Sequence, residues 1–239
     1  MGLVIDAALV TALALAAFVV LLINAKNRGA VALAFAIALP LQPLALYLVR
    51  LPIDRALKAA FGGPAWLVIL SLFYAPLTEE PAKWLVAAVP AVRRAIMMEP
   101  VILALAVGLG FAIGEIWLIA YTLLQLPGIA SLPATDLGGF VIERLEVCFL
   151  HGAFVALPFV ALARGRSFLL GGLGGMFLHF LLNFPIYLKG INAFGLGEAW
   201  IPILLLWALA FVIACAFMVV RLARRPPAAT TAVPVTNTP

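Results

Sequence analysis

Long apolar segments recur along the whole chain, separated by short stretches that hold most of the charged residues. Each apolar segment is close to the roughly 20 residues that an α-helix needs to cross a bilayer. Seven segments can be drawn, at residues 3–23, 29–50, 64–92, 100–124, 138–163, 167–189 and 198–221. Helices satisfy their own backbone hydrogen bonds in lipid. The pattern therefore predicts an all-α, polytopic transmembrane helical bundle of about seven spans.

Two regions interrupt this regular pattern. The third segment contains Pro76, Pro81 and Pro90, and because proline removes a backbone donor we expect that span to be kinked or broken. The stretch 51–63 carries charges and predicts a short interfacial helix. We expect one transmembrane domain over residues 1–225, followed by a disordered cytoplasmic tail over 226–239, which is rich in Pro, Thr and Ala.

Composition agrees with a membrane protein and excludes most soluble classes. The chain is 66% hydrophobic and 10% charged, whereas soluble domains are about 25% charged. Its net charge is +5, but the basic residues sit at segment ends, which is a topology signal and requires no nucleic-acid partner. The loops with more Lys and Arg predict the N-terminus outside and the C-terminus in the cytoplasm. The expected location is the inner cell membrane, with the lipid bilayer as the surrounding partner.

Four consecutive spans carry ionisable residues inside the apolar region. Such residues cost about 2.5–3.5 kcal/mol each at the bilayer centre, so they require partners or a function. From a rise of about 1.5 Å per residue, the titratable groups of these spans fall near mid-depth. We therefore predict one shared buried site. Its candidate members are Glu79, Glu80, Glu115, His151, His179 and Asn183, with Lys83 and Arg144 in supporting positions.

Helical spacing adds detail and leaves one question open. Glu79 and Lys83 are four residues apart, as are His179 and Asn183, so each pair shares a helix face. Glu79 and Lys83 can alternatively be a structural ion pair. Glu79 and Glu80 diverge by about 100° on one helix, so only one of them can point directly at a given water. The sequence does not decide which carboxylate that is.

The ordered set of motifs resembles the PrsW family of intramembrane proteases, within the CAAX-protease and bacteriocin-processing superfamily. The matching residues are Glu79, Glu80 and Lys83; Gly110, Phe111, Ala112 and Glu115; Arg144 and His151; and Leu178, His179 and Asn183. The chain departs from the family pattern at Ile116 and Val155, where members often have Asn and Thr. The resemblance implies an intramembrane endopeptidase with a catalytic core over about residues 64–189, acting on a membrane protein or peptide substrate.

Two mechanisms remain open for peptide hydrolysis. The first needs no metal, as the resemblance to CAAX proteases implies. In it Glu79 is the general base, Glu80 and Glu115 hold the water or support the base, and His179 and Asn183 polarise the scissile carbonyl. In the second, a divalent ion such as zinc activates the water. Its candidate ligands are His151, His179, Glu79 and Glu115. The alternative functions are a non-catalytic membrane scaffold and a proton- or ion-coupled transporter.

Overall fold

The computed structural model describes residues 1–63 and 65–224, and this part of the chain is helical without strands. The predicted tail at 226–239 lies outside the described residues. The α-helices are α1 Gly2–Asn24, α2 Arg28–Ala38, α3 Leu41–Ala45, α4 Leu51–Phe61, α5 Ala65–Tyr74, α6 Pro76–Trp84, α7 Pro90–Ile96, α8 Pro100–Leu124, α9 Gly138–Ala163, α10 Phe168–Gly190 and α11 Trp200–Arg224. A π-helical turn, Leu46–Arg50, joins α3 to α4. The all-α polytopic bundle predicted from the apolar pattern is confirmed.

Within the described residues, six helical stretches are long and apolar enough to cross a membrane. They are Gly2–Asn24, Arg28–Phe61, Pro100–Leu124, Ala134–Ala163, Phe168–Gly190 and Gly197–Arg224. The stretch 51–63 does not form a separate interfacial helix, because α4 continues from the π-helical turn without a break. The predicted third span is divided into shorter pieces, so the total number of spans stays a prediction.

Proline divides that third span, as predicted. Pro76 is the first residue of α6 and Pro90 is the first residue of α7. At that position proline costs no hydrogen bond, because the first N–H of a helix has no partner within the helix. A 3₁₀ segment, Leu85–Ala88, lies between them. Because of these breaks, the short helix α6, which carries Glu79 and Glu80, is a separate element that packs against the rest of the bundle.

One end of the bundle joins several segments that the charge pattern assigns to the cytoplasm. The backbone N–H groups of Lys26 and Asn27 donate to the Glu99 carboxylate at 2.7 and 2.8 Å. Arg164 Nη2 donates to the backbone oxygen of Leu222 at 2.8 Å. The turn after α1, the start of α8 and the ends of α9 and α11 therefore lie together. Which membrane face this end occupies stays a prediction.

Glycine permits the close packing of α8 against α9 at the centre of the molecule. A Cβ added at Gly108 would lie 2.1 Å from the backbone N of Gly152. Real side chains never approach a backbone that closely, so the two helices must separate if either glycine gains a side chain. Because α8 and α9 carry Glu115 and His151, this contact also sets the distance across the site.

We expect Gly108→Ala to lower the free energy of unfolding by about 2–3 kcal/mol, because the added methyl group collides with the Gly152 backbone. Thermal unfolding in detergent measures the change. Gly138→Ala is the matched control, since no atom lies within 4 Å of a Cβ at Gly138. Equal stability of the two variants would show that the α8–α9 contact tolerates a side chain.

Candidate functional site

The structure brings all eight sequence-predicted site residues together near the centre of the bundle. Glu79, Glu80 and Lys83 come from α6, Glu115 from α8, Arg144 and His151 from α9, and His179 and Asn183 from α10. A cavity of about 790 Å³ lies beside them, and we call it the central cavity. Its walls come from α3, the π-helical turn and α4 on one side and from α6 and α8–α11 on the others.

The two adjacent glutamates of α6 have different surroundings. Glu79 lines the central cavity, whereas Glu80 has no exposed surface and does not line it. Their directions differ because successive helical residues point about 100° apart. The structure therefore distinguishes the two carboxylates, which the sequence could not do.

Glu80 forms a fully buried ion pair with Lys83 and also contacts His179. Lys83 Nζ donates to Glu80 Oε1 at 2.5 Å, and both side chains have 0% exposure. His179 Nδ1 lies 2.7 Å from the same oxygen. The ion pair of Lys83 is thus with Glu80, three residues away, and not with Glu79 at the predicted four-residue spacing. A carboxylate that accepts from Nδ1 leaves Nε2 of His179 with a lone pair, 3.9 Å from Glu79 Oε2.

His151 is held between a cation and a carboxylate. Its Nδ1 lies 2.8 Å from Lys83 Nζ, and its Nε2 lies 2.7 Å from Glu115 Oε2. Because an ammonium can only donate, Nδ1 accepts and Nε2 carries the hydrogen that Glu115 accepts. Arg144 Nη1 lies 3.0 Å from the other oxygen of Glu115. Arg144 also pairs with Glu143, so a chain of alternating charges runs from the buried ion pair to the cavity wall.

Two phenylalanines surround the buried polar groups. Phe111 meets the His151 ring edge-on, with centroids 4.9 Å apart, and Phe154 stacks on His179 at 5.3 Å. Lys83 Nζ lies 4.8 Å from the centroid of Phe111. An ammonium over an aromatic face is attracted by the ring quadrupole, and the attraction increases where water is excluded. The rings therefore restrict both imidazoles and keep water from the Lys83 side of the site.

Three residues are placed so that they could hold a metal ion. One ligand atom from each of Glu79, His151 and His179 lies within 4.8 Å of the others. Two imidazoles and a carboxylate suit zinc, and His179 already has a carboxylate on its other nitrogen, which is usual for a zinc ligand. His151 would join by exchanging its contact with Lys83 or Glu115. The residues present thus fit a divalent ion. Glu115, a fourth predicted ligand, lies outside the group and contacts His151 and Arg144.

Several residues of the central cavity were not among the sequence candidates. Arg50, the last residue of the predicted span 29–50, lines the cavity, and its Nη1 lies 3.9 Å from Glu79 Oε1. Gln42 lines the same wall and is 5% exposed. Glu143 and Glu146 also line the cavity. The available signal was the spacing of Gln42 and Arg50, eight residues apart on one helical stretch, with Gln42 the one carboxamide in the predicted span 29–50.

We expect Glu80→Gln to destabilise the protein by about 3–5 kcal/mol, because it leaves the buried Lys83 charge without a counter-charge. The glutamine oxygen can still accept from His179, so the change isolates the ion pair. Chemical unfolding in detergent measures it, and the double variant Glu80→Gln/Lys83→Met is expected to recover part of the loss. Glu198→Gln, at an exposed site, is the control, and a Glu80→Gln protein as stable as that control would contradict the prediction.

Comparison with known proteins adds a finding on the chain as a whole. A family model described as PrsW family intramembrane metalloprotease matches residues 7–220. The match extends well beyond the motif-bearing region and includes the greater part of the helical bundle. Neither the curated proteins nor the solved structures gave a match.

Proposed function

The chain belongs to the PrsW family of intramembrane metalloproteases and is a membrane protease, and from this premise we propose that Glu79 activates the water that hydrolyses the peptide bond. The observation that carries the proposal is the position of Glu79. Its carboxylate lines the central cavity and faces the free lone pair of His179 at 3.9 Å. A proton acceptor must be within reach of the water and of the substrate, and Glu79 meets that requirement where Glu80 does not.

The two oxygens of Glu79 face different neighbours, which supports a double role. Oε2 faces His179, and Oε1 faces Arg50, each at 3.9 Å. We assign Oε1 to accept a proton from the attacking water while Oε2 stays on the histidine side. The water oxygen bonds to the scissile carbonyl carbon, and the proton held on Glu79 passes to the amine as the C–N bond breaks. The carboxylate thereby returns to its starting state.

Glu79, His151 and His179 would hold the divalent ion that the family description implies. When bound, such an ion polarises the water and the carbonyl oxygen as a Lewis acid. The remaining residues hold these groups in place. Glu80 orients His179 through Nδ1, and Glu115 orients His151 through Nε2. Asn183 lines the cavity one helical turn after His179, which suits its side-chain amide for donating to the scissile carbonyl.

The substrate we propose is a segment of a membrane protein or peptide that lies in or near the bilayer. The lining of the central cavity is mostly apolar, so an apolar segment can enter it. We also propose that residues 1–225 form one transmembrane domain and that the protein resides in the inner cell membrane. The six apolar helical stretches within the described residues agree with a multi-pass membrane protein.

Reconstitution into lipid nanodiscs with single-span substrate peptides tests the proposal. Wild-type protein is expected to cut at least one peptide at an internal bond, detected by mass spectrometry of both fragments. Protein with Glu79 replaced, reconstituted in the same way, is the matched control and is expected to lose most of the activity. Cleavage that is equal in the wild type and the Glu79 variant would show that another group activates the water.

A further inference from the structure

A second polar feature lies on the wall of the central cavity that α3 and the π-helical turn provide. Gln42 and Arg50 both line this wall. Gln42 is 5% exposed, and its Oε1 has no hydrogen-bond partner among the described residues. The Nε of Arg50 is likewise buried and without such a partner. An unpaired buried polar atom costs about 1–3 kcal/mol, so two of them on residues of one cavity wall indicate side chains that gain a partner by turning towards a ligand in the cavity.

The local helix geometry brings these two side chains to one face. Residues eight apart in a regular α-helix are separated by about 80° around the axis. Between Gln42 and Arg50 the helix widens into the π-helical turn, where the Leu51 N–H bonds to the oxygen of Leu46, five residues back. A π-turn advances less per residue than an α-turn, so it reduces that separation. Such turns occur frequently at functional sites, and here the turn directs Arg50 towards Glu79.

We propose that Gln42 and Arg50 bind the backbone of the substrate segment beside the scissile bond. A peptide backbone offers one N–H donor and one carbonyl acceptor per residue. Once its side chain turns towards the cavity, the Gln42 oxygen can accept from the N–H, and the Arg50 guanidinium can donate to the carbonyl. The inference rests on the proposed protease function, since it assigns the residues that position the peptide against Glu79. Arg50 Nη1 lies 3.9 Å from Glu79 Oε1, so a carbonyl on Arg50 is next to the proton acceptor.

This assignment also determines the conformation that the substrate must have. Within an α-helix, each N–H and carbonyl is already paired four residues along the chain. Such a segment has no free backbone groups for Gln42 and Arg50, and an unwound segment does. The protein is therefore selective for segments that unwind easily within the bilayer, such as those that contain glycine and proline.

Arg50 could instead serve only as a counter-charge for Glu79. A counter-charge role predicts that loss of Arg50 alters the chemical step and stability and has equal effects on all substrates. Backbone binding predicts that the loss falls on substrate affinity and removes the preference for unwound segments. Separate measurements of substrate affinity and turnover in an Arg50 variant therefore distinguish the two roles.

The test uses two synthetic single-span peptides of leucine and alanine that differ only at the centre, Gly-Pro in one and Ala-Leu in the other. Their binding to full-length protein in nanodiscs is measured by fluorescence anisotropy in a Glu79→Gln background, where turnover is expected to be too slow to disturb the measurement. The protein is expected to bind the Gly-Pro peptide more tightly. Arg50→Leu is expected to weaken that binding about tenfold or more, because a hydrogen bond to a charged group is lost. Gln42→Leu is expected to weaken it severalfold.

Arg55→Leu and Gln125→Leu are the matched controls, since both side chains are exposed and neither lines the cavity. With Glu79 present, Arg50→Leu is expected to raise KM by the same factor while changing kcat less. An unchanged preference for the Gly-Pro peptide in Arg50→Leu would overturn the inference. If Arg50→Leu does not fold, Gln42→Leu decides, because it keeps the charge and nearly the volume. Selective binding without cleavage of any peptide by the wild type would contradict the protease mechanism instead and leave backbone binding standing.

Discussion

Glu79→Gln is expected to reduce kcat/KM by about 10²–10⁴-fold, because a carboxamide cannot accept the proton of the attacking water. The change keeps the size of the side chain. Its effect on stability is expected to be small, since the nearest cation and the nearest imidazole both lie 3.9 Å away, beyond hydrogen-bond distance. The measurement is the rate of cleavage of a reconstituted peptide substrate, with thermal unfolding recorded on the same preparation.

The best control for Glu79→Gln is a second carboxylate on the same cavity. Glu146 lines the central cavity but is not among the residues grouped around the histidines. Glu146→Gln makes the same chemical change and is expected to stay within a few-fold of wild type. Equal activity losses in the two variants would mean that cavity charge, and not proton acceptance by Glu79, controls the rate. An active Glu79→Gln protein would end the assignment of this residue as the general base.

His179→Ala is expected to remove both the bound divalent ion and the activity. Changing an outer-shell partner of a metal ligand lowers metal affinity about 10–100-fold. Removing a ligand itself has a larger effect, so we expect the affinity for the ion to fall more than about 100-fold. Elemental analysis of purified protein is expected to find about one ion per wild-type chain and well below that in the variant. Addition of a chelator to the wild type is expected to abolish cleavage, and zinc is expected to restore it.

Asn183→Ala is the control for His179→Ala. Asn183 lies one turn further along α10 and lines the same cavity, but it is not in the group that could hold an ion. We expect it to lower the rate of cleavage while leaving the metal content unchanged. Wild-type protein that is fully active without any bound ion would support the metal-free scheme, in which Glu79 acts with the histidines alone.

The residues of the site could be listed from the sequence because the bilayer makes them conspicuous. An ionisable group in an apolar span is costly enough that its presence requires a reason. The predicted depth of Glu115, His151 and His179 comes from counting residues along straight helices, since the rise per residue is nearly constant. The break in the third span was also predictable, because Pro76 and Pro90 limit helices locally, whatever lies around them.

The contacts within the site could not be predicted in the same way. Lys83 lies three residues from Glu80 and four from Glu79, and both spacings place side chains on neighbouring parts of a helix face. The choice between them depends on where His179 and the two phenylalanines stand. These come from other helices, so the pairing is a result of helix packing. Arg50 was absent from the predicted site for a related reason, since the apolar pattern ends span two at this residue, whereas the helix continues into α4.

The sequence alone therefore determined the class of the protein and which four segments bring the polar groups together, while the mid-depth level of these groups stays a prediction. These properties depend on hydrophobicity, helical rise and proline, which act locally along the chain. Only the tertiary structure decided that Glu79 lines the cavity while Glu80 is buried in contact with His179, and that Gln42 and Arg50 line the same cavity. Direction around a helix axis has meaning only relative to neighbouring helices, and those neighbours are placed by packing between segments far apart in the chain, as at Gly108 and Gly152.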